Sequence, residues 1–151
     1  MLTLPTYVVS MQKQVILLPQ AAVAEIIPYE PLQRVEDTPD WLLGLLGWRG
    51  VQVPVASFEM LTVKRASFSL VSVSSASLVI IKGLSGQDEL PYHATVAQTA
   101  PRLVALTAEM LFETGEVSAK TEISRVRFED EIISIPDLDY VEAAIIDAMA
   151  S

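Results

Sequence analysis

Two short apolar runs, Leu42-Leu43-Gly44-Leu45-Leu46-Gly47-Trp48 and Val51-Gln52-Val53-Pro54-Val55, meet at Arg49-Gly50, and this junction limits the folds open to the chain. A guanidinium inside an apolar strand must reach a surface or find a partner. Arg49-Gly50 therefore reads as a tight turn, which displays one cation at the tip of a hydrophobic hairpin. Such a tip is a recognition surface rather than a catalytic one. With Trp41, the stretch holds both tryptophans and three of the six glycines. As buried residues the tryptophans serve a core; beside Arg49 they are the residue types enriched at interface hot spots. Trp41 is expected in the core and Trp48 near the surface.

The rest of the chain continues in short strands. Thr6 to Met11 and Gln14 to Leu18 form a hairpin across Gln12-Lys13, and Val23 to Ile27 resumes an extended apolar run. Pro28-Tyr29-Glu30-Pro31 breaks regular structure, and Thr38-Pro39-Asp40-Trp41 carries the signature of one helical turn, with Thr38 as cap. Leu42 to Trp48 and Val51 to Phe58 follow as strands. Pro54, having no amide hydrogen, belongs at an edge or a bulge. Thr62 to Ser77 is the linker candidate, although Phe68 to Val73 alternates as a strand would. Leu78 to Lys82, a turn at Gly83-Leu84-Ser85-Gly86, Leu90 to Val96 and Arg102 to Leu106 come next. A helical turn at Ala108 to Phe112, a loop at Glu116 to Lys120 and a hairpin of Glu122 to Phe128 with Ile132 to Ile135 complete the strands. No fixed-period repeat is visible. At the C-terminus, Val141, Ala144, Ile145, Ala148 and Met149 recur at helical spacing, and Asp139 with Glu142 resembles a capping box. Many short strands and one terminal helix predict an all-β barrel architecture.

Charge and composition narrow the partners. The net charge is −9 and the densest basic cluster is Lys64-Arg65, so no basic stripe exists for nucleic acid. Charged residues make up only 19% of the chain, against about 25% typically, which fits either apolar surface kept for a protein partner or an unusually Ala- and Val-rich core. There is no cysteine, hence no disulfide or thiolate metal site. The apolar run from Val15 to Leu18 is too short to span a bilayer, and a cytoplasmic protein without membrane insertion is expected.

Catalytic chemistry finds little support. His93 is the single histidine, with no acidic neighbour in sequence nearer than Glu89, and is expected to be an ordinary strand residue. The carboxylate clusters Asp88-Glu89, Glu129-Asp130-Glu131 and Asp137-x-Asp139 lack the ladder and central glycine of a calcium loop. The first two read as solvated turns and the third as a helix cap. Gly44-x-x-Gly47-x-x-Gly50 matches no nucleotide fingerprint. No catalytic residue, metal site or cofactor is expected.

The stretch from Trp41 to Val55 resembles the signature of the CheW family of chemotaxis coupling proteins: apolar-Gly pairs, an Arg-Gly step, then apolar residues around a proline. Val15-Ile16-Leu17-Leu18-Pro19 and Val23-Ala24-Glu25-Ile26-Ile27 are similar to the family's strands in the same order, and the resemblance runs from about residue 6 to 61. Leu78 to Lys82, Glu89-Leu90-Pro91-Tyr92, the Trp48-Arg49-Gly50 step and Ser57-Phe58-Glu59 look most like the short members from pilus (twitching motility) chemosensory systems. The usual family has Asn where Gly47 stands and Asp where Ser57 stands.

The resemblance implies two SH3-like five-stranded β-barrel subdomains with a C-terminal α-helix, interlocked within a single domain 1–151 and split near 62–77. It implies no enzyme activity. The protein would be an adaptor between the cytoplasmic tip of a chemoreceptor and the regulatory domain of a histidine kinase, at membrane-associated receptor arrays. By position, the resemblance makes Arg49 and Glu25, with Trp48 and Gly50, the partner-binding residues. A generic β-barrel module that binds a peptide at a sheet edge is the alternative, and a hydrolase built on His93 is a third reading.

Overall fold

In a computed structural model of the chain, residues 3–12, 14–63, 75–83, 90–114 and 119–150 are described. They form two sheets and two α-helices. The first sheet contains β1 (Leu4–Ser10), β2 (Val15–Pro19), β8 (Arg102–Leu106), β9 (Phe112–Glu113), β10 (Glu122–Phe128) and β11 (Glu131–Pro136), in the order β8-β1-β2-β11-β10-β9. The second contains β3 (Val23–Pro28), β4 (Leu42–Trp48), β5 (Val51–Ala56), β6 (Ser77–Lys82) and β7 (Tyr92–Ala97), in the order β3-β6-β7-β5-β4. The helices are α1 (Phe58–Val63) and α2 (Leu138–Met149). The all-β expectation with a C-terminal helix holds, with β9 as a two-residue addition to the first five-stranded unit. No helix among the described residues is long and apolar enough to cross a membrane.

Three apolar clusters follow from strand alternation. Val8, Leu17, Leu106, Val126, Phe128 and Ile133 meet inside the first sheet. Leu46, Trp48, Val53, Val55, Leu78, Ile80 and Val96 meet inside the second. Between the sheets lies a seam core of Val9, Ile16, Leu18, Val79 and Ile81, closed by Phe58 and Leu61 of α1 and by Val141 and Ile145 of α2. β6 explains its own sequence. A strand buried on both faces has no polar phase, and Leu78-Val79-Ile80-Ile81 sends alternate residues into the inner core and the seam. The chain passes from the first sheet to the second through a 3-10 turn at Gln20–Ala22. It returns between β7 and β8, where the Gln98 amide donates to the Ser10 carbonyl at 2.9 Å.

Several local expectations need correction. Thr38 does not cap a helix: its hydroxyl donates to the Val35 carbonyl, and the segment is a turn. The strand expected to run from Val51 to Phe58 stops at Ala56, because Ser57 caps α1, its Oγ accepting from the Met60 amide at 3.2 Å. Pro54 lies in an inner strand, not at an edge, but the β5–β7 ladder beside it is confined to one register pair, Val55–Ala94. The cap of α2 is Asp137, which accepts from the Tyr140 amide at 3.2 Å, so Asp139 sits in the first turn and Glu142 turns inward. The expected strand Phe68 to Val73 and most of the 62–77 linker lie outside the described residues, as do 84–86 of the expected turn and 116–118 of the expected loop.

Two details are sensitive to substitution. Gly44 has φ 151°, and a Cβ there would stand 2.7 Å from the Gln33 carbonyl oxygen, where Gln33 and Leu45 exchange backbone hydrogen bonds across a bridge. Gly44→Ala is expected to destabilise the protein by about 2–3 kcal/mol in urea unfolding. Glu122 is buried; desolvation pushes its pKa up, but hydrogen bonds from Arg125, Ser134 and the Ala119 amide outweigh it, leaving the carboxyl below the ordinary 4.5. A depressed carboxylate contributes stability that is present above pH 4.5 and lost as pH falls through the folded-state value. Thermal melts across this acid range should show that loss in the parent and a flatter profile in Glu122→Gln.

Candidate functional site

The β4–β5 hairpin closes through two residues in the left-handed region, Arg49 at φ 49° and Gly50 at φ 77°. Primed turns of this kind match the twist of the flanking strands and demand positive φ at both central positions. Gly50 meets that demand without steric cost, whereas Arg49 accepts it under some strain. The turn points Arg49 outward, with its side chain 68% exposed, as the apolar flanks of the motif require.

Trp48 is placed otherwise than expected. β4 is irregular between Leu42 and Gly44, and beyond that point Gly44, Leu46 and Trp48 alternate inward, so Trp48 shares a face with buried Leu46 and is itself only 8% exposed. Its ring meets Tyr92 edge-on, with centroids 4.9 Å apart and planes at 68°. Trp41, before the strand begins, is half-buried against the seam core. A buried indole N–H needs an acceptor, and Trp48 Nε1 donates to Glu25 Oε1 at 2.8 Å.

That same oxygen accepts from Arg49 Nη2 at 3.1 Å, and the guanidinium lies 4.7 Å from the centroid of the Trp48 ring. Glu25 reaches this position because β3 carries an irregularity between Val23 and Glu25. Val23 and Ile26 both face the seam while Ala24 and Ile27 both face the inner core, a spacing of three that a regular strand forbids. The extra residue leaves Glu25 in phase with Ile27, on the side of Trp48. Glu25, Trp48, Arg49 and Gly50 thus form one constellation, with Tyr92 a member the sequence did not indicate. A partly exposed carboxylate holds a cation over an aromatic ring, which fixes an exposed positive charge at the hairpin tip.

β3 and β4 are the two edge strands of their sheet, so the contacts of Glu25 join its ends. The backbone bridge between Gln33 and Leu45 closes the same gap further along. At Gly47, two residues before Arg49, a Cβ would meet nothing within 4 Å, so the glycine there relieves no crowding.

His93 and Glu142 are brought together by the fold, with Nε2 and Oε2 3.7 Å apart and both side chains buried. They lie between the sheets and α2, remote in character from the exposed hairpin. Among the described residues, no three His, Asp or Glu side chains converge as a metal site.

Comparison with known proteins agrees with this fold. A family model for the CheW-like domain matches residues 6–121. Among solved structures, the scaffolding protein TtCheW from Thermoanaerobacter tengcongensis superposes with a TM-score of 0.74 at 16% sequence identity, covering 91% of this chain and 86% of that one. No curated protein matches the chain.

Removing the shared acceptor should expose its worth. Glu25→Ala leaves the buried Trp48 N–H unsatisfied and is expected to cost about 1–3 kcal/mol in chemical unfolding. In a Trp48→Phe background, where no N–H remains, the same change should cost under about 1 kcal/mol, leaving only the exposed ion pair to lose. Equal losses in the two backgrounds would show that the indole bond is not what Glu25 supplies.

Proposed function

The chain belongs to the CheW-like domain family, and from that premise we propose that it is a noncatalytic adaptor coupling a chemoreceptor to a histidine kinase in a chemotaxis-type signalling pathway. The observation that carries this reading is the constellation at the hairpin tip. Glu25 and Trp48 hold Arg49 outward at the place where the family motif has its arginine. We assign Arg49, Glu25, Trp48 and Gly50 to the receptor-facing surface. Arg49 supplies orientation and specificity there, because an exposed cation adds little affinity by itself.

The kinase domain needs a second, apolar surface, and we assign it to the outer face of the first sheet. Register places Phe112 and Ile132 on either side of Arg127. They are 64% and 48% exposed, an apolar pair with a cation between them. The Trp48-Arg49-Gly50 step and Ser57-Phe58-Glu59 support the finer reading of a pilus (twitching motility) system, in the cytoplasm beside membrane receptor arrays. The interlocking of the sheets supports treating the chain as one domain.

Two substitutions test the assignment separately. Arg49→Asn suits the left-handed turn and removes the cation, so melting should stay within a few degrees of the parent while binding to a receptor-tip fragment falls at least about tenfold, one such step being about 1.4 kcal/mol. Phe112→Ser should instead weaken calorimetric binding to the kinase regulatory domain and leave receptor binding unchanged. If the parent protein binds neither partner at high concentration, the adaptor reading fails and a peptide-binding barrel takes its place.

A further inference from the structure

The seam between the sheets contains polar atoms that the adaptor role does not use. His93 and Thr95 alternate on β7, so both side chains leave the same face, toward α2. His93 Nε2 and Thr95 Oγ1 are fully buried and make no hydrogen bond to the protein. Both residues line a cavity of about 20 Å³. The other lining residues, from Ile16 and Leu18 through Phe58 and Ile81 to Leu138 and Val141, are apolar. Glu142, reaching down from α2, places Oε2 3.7 Å from His93 Nε2, beyond direct hydrogen-bonding distance.

A buried polar atom without a partner costs about 1–3 kcal/mol, and two such atoms belong to residues that line one cavity here. A cavity able to take a water needs roughly 10–15 Å³ and two to four polar partners. This one has the volume, is lined by the two residues that carry the orphaned atoms, and has a carboxylate oxygen 3.7 Å from one of those atoms. We propose that one internal water occupies the cavity, bridging His93 Nε2, Thr95 Oγ1 and Glu142 Oε2, and that this bridge seats α2 across the seam. The apolar contacts of Val141 and Ile145 fix how deep the helix lies. They are tolerant of small rotations and slides, whereas a three-way hydrogen-bonded bridge is directional. The helix packs on residues of both sheets, so the bridge also fixes the placement of one sheet against the other.

The single histidine makes the test unambiguous, since its imidazole resonances need no assignment among copies. In the intact protein, water–protein cross-relaxation should give a contact between a long-lived water and the His93 ring. Thr95→Val, which keeps the shape and removes the hydroxyl, should abolish that contact. It should also lower the folding equilibrium constant on the order of fivefold, as loss of a buried hydrogen bond does. Amide exchange in α2 should quicken several-fold relative to that in β1 and β2. A His93 ring bonded directly to Glu142 with no long-lived water would overturn the water site. Unchanged α2 protection in Thr95→Val, with the water contact gone, would overturn its role in seating the helix.

Discussion

One carboxylate oxygen holds together the part of the molecule that faces outward. The second sheet, taken as a ladder, is open, with β3 and β4 at its two ends. An open five-stranded ladder leaves two unpaired edges and an inner apolar face that must be covered. Glu25 Oε1 draws the edges together by accepting from Trp48 and Arg49 at once. The same contact satisfies a buried indole N–H, closes the wall of the inner core and fixes the exposed cation. These are three consequences of one bond geometry, so the placement of the exposed cation cannot be separated from the stability of the sheet beneath it.

The two sheets repeat one pattern. In each, an edge strand pairs antiparallel with its neighbour, which pairs antiparallel with a third; the third runs parallel to a fourth, which forms a hairpin with the last. This describes β8-β1-β2-β11-β10 and β3-β6-β7-β5-β4 alike. Both terminal hairpins turn through paired left-handed residues, and each is followed by a helix, α2 after β11 and α1 after β5. Chain order differs by circular permutation: the second sheet is inserted whole between β2 and β8. A sequence scan for a fixed period cannot find such a repeat, because corresponding strands do not recur in the same order. The insertion also explains the seam core. Two sheets joined by two chain passages pack against one another, and both helices close that contact.

Much of the fold was legible because short strands announce themselves by alternation and by the turns between them. β4, β8 and β10 have the bounds expected from sequence, and the Glu129-Asp130 hairpin lies where two acidic residues interrupt apolar runs. What was missed has identifiable causes. α1 spans only six residues, too few for a helical stripe, and its signal was the single capping residue Ser57. Trp48 takes its place from its phase with Leu46 and not from the charge beside it. The irregularity in β3 that turns Glu25 toward Trp48 has no sequence signature, since Val23 to Ile27 is apolar on both faces apart from Glu25. The pairing of His93 with Glu142 was invisible because the two are brought together only when α2 folds back over the seam.

Arg49 is the residue whose position most needs a physical account. A left-handed conformation costs an ordinary residue about 1–2 kcal/mol, and glycine or asparagine would avoid most of it. Strain alone does not mark a functional site, since Glu129 and Asp130 adopt the same region in the other hairpin. What differs is how the side chain is held. Glu129 accepts a direct hydrogen bond from Arg102 in an exposed ion pair, both side chains being more than half exposed. Arg49 lies against a buried ring and bonds an oxygen that is already committed to that ring. The cation–π contact contributes about 0.5–1 kcal/mol and the exposed ion pair about 0.2–1 kcal/mol, which together roughly offset the backbone strain and leave little net stability. The turn thus gains almost nothing for the fold from its arginine, yet two contacts fix the direction in which that arginine leaves the surface.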